Sequence, residues 1–203
     1  MFKRIPANKL SISRRNKILN NGVNDAYYKT SPRNQSACCP YYQKWLSMLK
    51  RCYSVKYQNR QPTYIGCTVC KEWLLFSNFR KWMEAQTWKG MELDKDIIVY
   101  NNKIYSPSTC CFVTKEINSL LNNHKNAKGK YPTGVSWHSA TKKVFSQCST
   151  KNGLVYLGCF DTISEAEKAY KQFKKALIVE IASNQTDIRI RNGLLIHAEN
   201  NFT

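Results

Sequence analysis

Side chains capable of chemistry gather at two places along this chain. One is the run Glu92-Leu93-Asp94-Lys95-Asp96-Ile97, in which an ammonium separates two carboxylates. The other is Cys67-x-x-Cys70, followed much later by the adjacent pair Cys110-Cys111. Carboxylate oxygens suit a hard divalent cation, and a carboxylate near the right pKa activates water as a general base. Lysine is protonated at neutral pH unless burial or a neighbouring cation lowers its pKa. A charged Lys95 binds a phosphate or steadies an anionic transition state, but it does not deprotonate water. Asp96, next to it, is then the substitute base. The plain alternative is an exposed charge pair on a hairpin. Cys67-x-x-Cys70 is half of a zinc ribbon. The other half would be Cys110 and Cys111, and adjacent cysteines rarely both reach one tetrahedral ion. Buried structural cysteines are therefore preferred over zinc at Cys67 and Cys70. His124, His138 and His197 stand alone in polar contexts and are weak ligand candidates.

The elements that position these groups sit in a basic chain of 203 residues with a formal net charge of +19. Such an excess costs self-repulsion on folding and usually answers to a polyanion. No stretch approaches the roughly 20 apolar residues of a membrane span. The basic residues are spread along the chain instead of forming an amphipathic basic helix, so nucleic acid is favoured over a membrane surface. Nine cysteines, an odd number with two adjacent pairs, argue against a disulfide framework. The first residues, MFKRIPANKLSISRRNK, hold no apolar leader. A cytoplasmic setting follows as the expectation.

Residues 1–40 are polar and basic and read as a mobile arm with one short helix; Lys3, Arg4, Arg14, Arg15 and Lys17 would track phosphates or sit in solvent. Trp45, Met48, Leu49 and Cys52 recur at helical spacing and predict a helix over 42–53. A short strand is expected over 64–69. Trp73, Phe76, Phe79 and Trp82 form an aromatic stripe on a helix over 71–83, read as core and not as a base-stacking platform. Residues 92–100 and 103–105 read as a β-hairpin turning at Asn101-Asn102. A helix then follows, with Thr114 as its N-cap. Asn122–Lys130 reads as a linker. Three strands are expected at 134–138, 143–149 and 154–160, followed by a helix opened by the capping box Thr162-x-x-Glu165. In the tail, 183–203, Asn192-Gly193 suggests a hairpin, with a short helix as the alternative.

Alternation along the middle strand separates Val144, Ser146 and Cys148 from Phe145, Gln147 and Ser149. Small Ser146 facing Ala166 and Ala169 lets helix and sheet approach closely. The other face then carries Phe145, Gln147, Ser149, Leu154 and Tyr156, with Lys142, Lys143 and Lys151 at its rim. Glutamine pairs bidentately with adenine, aromatics touch thymine methyls and lysines hold phosphates. The bland reading is an ordinary small domain with a wet sheet face.

Gly134-Val135-Ser136-Trp137, Lys142-Lys143, Tyr156-Leu157-Gly158-Cys159-Phe160-Asp161-Thr162 and Glu165-Ala166…Ala169-Tyr170 resemble the plant ethylene-response-factor (APETALA-type) DNA-binding domain over 131–182. The resemblance implies a three-stranded sheet read into the major groove. The contact set it gives is Thr133, Ser136, Trp137, His138, Lys142, Lys143, Phe145, Gln147, Ser149, Lys151 and Tyr156. Thr133, Ser136, His138 and Gln147 stand where that family has arginines. Residues 41–126 resemble bacteriophage HNH endonucleases through Glu92–Ile97, Ser106-Pro107-Ser108-Thr109-Cys110 and Val113-Thr114…Asn118. That resemblance implies Asp94 and Asn118 as ligands of Mg²⁺ or Mn²⁺, with Lys95 in the position of the catalytic histidine and Thr109 in that of the middle asparagine.

The fold expected is α+β: an HNH-like ββα unit with preceding helices, then a three-stranded antiparallel sheet packed on one helix. The partner expected is double-stranded DNA, cut by metal-dependent hydrolysis if the altered site works. The runners-up are a non-cleaving DNA-binding regulator and a phage inhibitor of a host nucleic-acid enzyme, which would have a host protein as partner.

Overall fold

Trp45, Met48, Leu49 and Cys52 do repeat on one face of a helix, and that face is buried. The helix, α2 (Pro40–Tyr53), has Pro40 in its first turn, where the missing N–H costs nothing. Trp45 Nε1 donates to the Trp73 carbonyl at 2.6 Å, so the largest core side chain leaves no polar atom unpaired. The computed structural model describes residues 2–32, 38–121 and 130–202 and separates into two compact units, 1–113 and 114–203. It is a mixed α+β protein.

In the first unit, α1 (Lys9–Ser13), α2, α3 (Val55–Arg60) and α4 (Phe76–Glu84) accompany three short strands, β1 (Thr68–Val69), β2 (Glu92–Asp94) and β3 (Ile104–Tyr105), and a fourth, β4 (Cys111–Val113). The expected aromatic stripe is core: Trp73, Phe76 and Phe79 are fully buried, and Trp82 stacks on Phe112. It does not lie on one helix. A single 3₁₀ turn carries Trp73, and Leu75 is extended before α4 begins. The break arises because Val23 takes the backbone: Val23 N donates to Leu74 O and Phe76 N to Val23 O.

The first forty residues depart from the mobile arm expected of them. Tyr28 is fully buried, Pro6 bridges Tyr28, and Val23 bridges Leu75. The Arg15 guanidinium donates to the carbonyls of Asn24, Ala26 and Tyr28 at 2.6–3.0 Å, acting as an internal strut. Arg4 lies over the Tyr28 ring and pairs with Glu84. Only the short helix matches the expectation for this segment.

The hairpin expected over 92–105 pairs differently. β2 runs antiparallel to β4, with Leu93 opposite Phe112 and Asp94 opposite Cys111. β3 runs parallel to β1. The residues between β2 and β3 form a loop that Asn102 closes. Its amide donates to the carbonyls of Lys95 and Ile104 at 2.6 and 2.7 Å, and its Oδ1 accepts from Ile104 N. The apolar run Ile97-Ile98-Val99 that suggested a strand buries Ile97 within this loop instead.

The second unit opens with α5 (Lys115–Leu120), capped by Thr114 as expected. Residues 122–129, including His124, lie outside the described residues. β5 (Val135–His138), β6 (Lys143–Thr150) and β7 (Gly153–Phe160) form one antiparallel sheet in that order. α6 (Ile163–Ser183) follows, with both halves of the Thr162/Glu165 capping box formed. The tail is a second helix, α7 (Ile188–Asn201), and not a hairpin. Ile190, Leu194, His197 and Ala198 make its buried stripe, and Gly193 is buried with them, so the Asn-Gly pair lies inside a helix and not at a turn. The sheet thus lies against α6, which also packs on α7.

Gly134 fixes how near α6 comes. It sits at φ +79°, and a Cβ there would strike the Tyr170 ring and the Gln147 carbonyl. Gly134→Ala is expected to destabilise the second unit by about 1–3 kcal/mol, the usual range for overpacking. Chemical denaturation followed by the amide NMR signals of β5–β7 checks this; an unchanged midpoint would contradict the packing described.

Candidate nucleic-acid interface

The two faces of the sheet differ as alternation requires. Val144, Ser146 and Cys148 are buried toward α6. On the other face Phe145 is paired with Ser136 and Cys159, Gln147 with Tyr156, and Ser149 with Leu154. Leu154 and Tyr156 are more than 60% exposed, unusual for large apolar side chains on a strand. His138, Phe145 and Tyr156 form a row across the three strands, with ring centroids 5.9 and 6.3 Å apart. The Gln147 carboxamide makes no hydrogen bond among the described residues. Lys142, at φ +53°, lies in the β5–β6 turn, while Lys143 begins β6 and pairs with exposed Asp161 at 3.0 Å. Lys151 lies in the β6–β7 turn at the far end. β6 separates the two ends by roughly 25 Å. That exceeds the roughly 12 Å width of a major groove, so cations at the ends can meet phosphate walls while the centre meets base edges.

Two residues expected on this face lie elsewhere. Trp137 is opposite Val144 and shares the alternation of Val135, which puts it on the α6 side of the sheet; its ring is 46% exposed. Thr133 precedes the turn at Gly134 and is not in a strand. Ser136, His138, Phe145, Gln147, Ser149 and Tyr156 are brought together as expected. Cys159 joins them, exposed and opposite Phe145. Strict alternation from Tyr156 points Cys159 inward. A β-bulge shifts the register between Gln147↔Tyr156 and Ser146↔Gly158, leaving Leu157 as the extra residue and turning Cys159 outward. Gly158 takes φ +136° there.

In the first unit, Asp94 caps the loop it opens. Its Oδ1 accepts from Asp96 N and Ile97 N, each at 2.8 Å. Burial, and then the neighbouring Asp96 carboxylate, push the Asp94 carboxyl up to about 6. Lys95 is buried, and its ammonium donates to Asp96 Oδ2 at 2.8 Å and to the Asn102 carbonyl at 2.9 Å. Burial pulls the Lys95 pKa down, but the attraction and hydrogen bond of Asp96 outweigh it and leave the pKa raised. Lys95 therefore stays charged and holds the loop, which removes it as a general base. Asn118 lies on α5, in the second unit. Thr109 Oγ1 donates to Ile104 O and shares a hydrogen bond with Ser106, which orders the loop before β4.

These groups do not make a metal centre by themselves. One oxygen of Asp94 is already taken by two amides, and the Lys95 ammonium sits on Asp96. Among the described residues no group of three or more His, Cys, Asp or Glu side chains is arranged to hold a metal ion. Cys67 is buried and Cys70 half-buried, and burial raises both thiols. Burial likewise pushes Cys52 and Cys110 up to about 12, so they are protonated at neutral pH and pack as small apolar groups. His197 is buried beside Asn201, and His138 bonds Thr141.

No protein-family model, curated protein or solved structure matches the chain. Among the described residues no helix is long and apolar enough to cross a membrane.

The raised Asp94 pKa makes stability depend on pH. Its folded value lies above the ordinary one near 4. Its contribution is therefore complete below about pH 4 and is lost as the pH rises through about 6. Asp94→Asn keeps an acceptor for the two amides and removes the charge. It is expected to flatten this pH 4–6 dependence and to be at least as stable as the native chain at pH 7.5. Asp94→Ala strands both amides and is expected to cost about 1–3 kcal/mol. Denaturation midpoints at half-unit pH steps decide; a loss in Asp94→Asn as large as in Asp94→Ala would refute the assignment.

Proposed function

We propose that this chain binds duplex DNA by laying the outer face of β5–β7 in the major groove. The observation that carries this reading is that face itself: an aromatic row, an unbonded Gln147 carboxamide, and lysines at both ends of the central strand. Leu154 and Tyr156 lie mostly exposed beside Phe145 and so form one apolar patch on this face. The net charge of +19 supplies the long-range attraction to phosphate. The resemblance to APETALA-type domains over 131–182 supports the same use of the sheet.

A second reading rests on Asp94 and Asp96. The order β2, β4, α5 follows the strand–strand–helix sequence of the HNH nucleases that 41–126 resemble. A carboxyl group lifted to about 6 suits proton transfer near neutral pH. On this reading Asp94, with Asp96, is the base of a strand-cleaving reaction, and Lys95 positions Asp96. Mg²⁺ or Mn²⁺ would have to find ligands beyond these two carboxylates. Incubation with supercoiled plasmid in either ion, against EDTA and Asp94→Asn, separates the readings: nicking abolished by Asp94→Asn supports cleavage, and gel retardation alone leaves a DNA-binding regulator.

Binding dominated by phosphate contacts loses about 0.9 log unit of affinity per log unit of salt for each phosphate neutralised. Replacing Lys142, Lys143 and Lys151 together by Gln is expected to reduce that slope by two to three units and to weaken all duplexes alike. Fluorescence anisotropy between 50 and 300 mM KCl measures it; a native slope near zero would contradict DNA binding.

A further inference from the structure

The chemistry at the centre of the outer face differs from that at its ends, and the difference names a target. We infer that the face reads A·T base pairs, with Gln147 bonding adenine and Phe145, Tyr156 and Leu154 seating thymine methyls. This deepens the proposal of major-groove binding and rests on it.

Guanine is most often read by the bidentate donors of arginine on O6 and N7. The chain has no arginine between residues 131 and 188. Arg189 is turned to Asp187, and Arg191 donates to the Gln185 carbonyl. The lysines of the sheet lie at its ends, where Lys143 is paired with Asp161. The centre therefore lacks a cationic donor for guanine. It also lacks a carboxylate for the cytosine amino group: between 134 and 160 the chain has no Asp or Glu.

What remains there is one carboxamide beside aromatic rings and a leucine, with the hydroxyls of Ser136 and Ser149 and the imidazole of His138 around it. Gln147 carries a donor and an acceptor side by side, the complement of adenine N6–H and N7. It is directly opposite Tyr156, and its neighbour two residues back is Phe145, whose ring is 6.3 Å from that of Tyr156. Leu154 follows on the same face, opposite Ser149. Thymine alone among the four bases offers a methyl group in the major groove. A carboxamide flanked by two aromatic rings and a leucine thus matches an adenine beside thymines with two hydrogen bonds, whereas the cytosine amino group meets only its oxygen and the guanine acceptors meet only its NH₂. Ser149 and Ser136 pair with either base type and add no preference.

The test uses the full chain and two 20-base-pair duplexes of equal length and charge. One has a mixed A·T core without A-runs, which avoids groove narrowing as a cause; the other has a G·C core. The native protein is expected to bind the A·T duplex at least tenfold more tightly. Replacing its adenines by 7-deazaadenine, which lacks the N7 acceptor, is expected to remove most of that preference. Replacing thymine by uracil, which lacks the methyl, is expected to weaken binding several-fold. Gln147→Ala, at a half-buried position off the α6 side, should keep the native melting temperature and lose most of the A·T preference. Equal affinity for the two duplexes, or an A·T preference kept by Gln147→Ala, would overturn this inference and leave DNA binding standing. Binding to neither would overturn both.

Discussion

One face of the sheet of the second unit is sealed by a helix at very short range, and three small residues set that range. Gly134 has no Cβ to strike Tyr170, Ser146 is wholly buried beneath the helix, and Ala166 is wholly buried opposite. The seal has a cost. Among the described residues Ser146 Oγ finds no hydrogen-bond partner, and an unsatisfied buried hydroxyl is unfavourable. A valine would fill the space with apolar atoms but would hold the helix away. With α6 close, the apolar needs of the sheet are met on one side. On the other side Leu154 and Tyr156 stay mostly exposed, with Phe145 half-buried beside Tyr156.

The first unit shows the reverse economy, with charge used internally. Lys95 ties Asp96 to the Asn102 carbonyl, Asn102 returns two bonds to the loop, and Asp94 caps its start. Arg15 does the same for the N-terminal segment through three carbonyls. These cations hold loops in a unit with few and short strands, so a positive charge in the sequence is not by itself a contact for DNA. Lys142 and Lys151, in the turns at the two ends of β6, have no ion pair among the described residues, whereas Lys143 is held by Asp161 and Arg15 by three carbonyls.

Much of the second unit was legible in the sequence because its signals are local. Alternation over eight residues located β6, the spacing of Thr162 and Glu165 located the start of α6, and the two faces followed. What alternation could not show was the bulge at Leu157, which inverts Cys159, or the turn at Gly134 that takes Thr133 off the strand. The tail was ambiguous for a physical reason: Asn-Gly favours a turn, but Ile190, Leu194 and His197 at helical spacing gain more by burying a stripe. In the first unit the misreadings were non-local. Residues 92–105 carry a hairpin pattern, yet β2 finds β4 and β3 finds β1, pairings that no short window contains. Likewise Val23 splits the aromatic helix from fifty residues away, and Tyr28 in the core turns a polar arm into part of the fold. Asp94, Lys95 and Asp96 were visible as residues with chemistry; the fixing of Lys95 as a charged strut depended on Asn102.

On the proposed function, the outer face of β5–β7 is the surface that meets duplex DNA. Amide chemical-shift mapping of the full chain during titration with a 20-base-pair duplex shows whether it does. The largest changes are expected at Ser136, His138, Phe145, Gln147, Ser149 and Tyr156, with the exposed positions Leu195 and Ile196 of α7 unmoved. Changes confined to α7, or spread evenly over the lysines of both units with the sheet face silent, would contradict it.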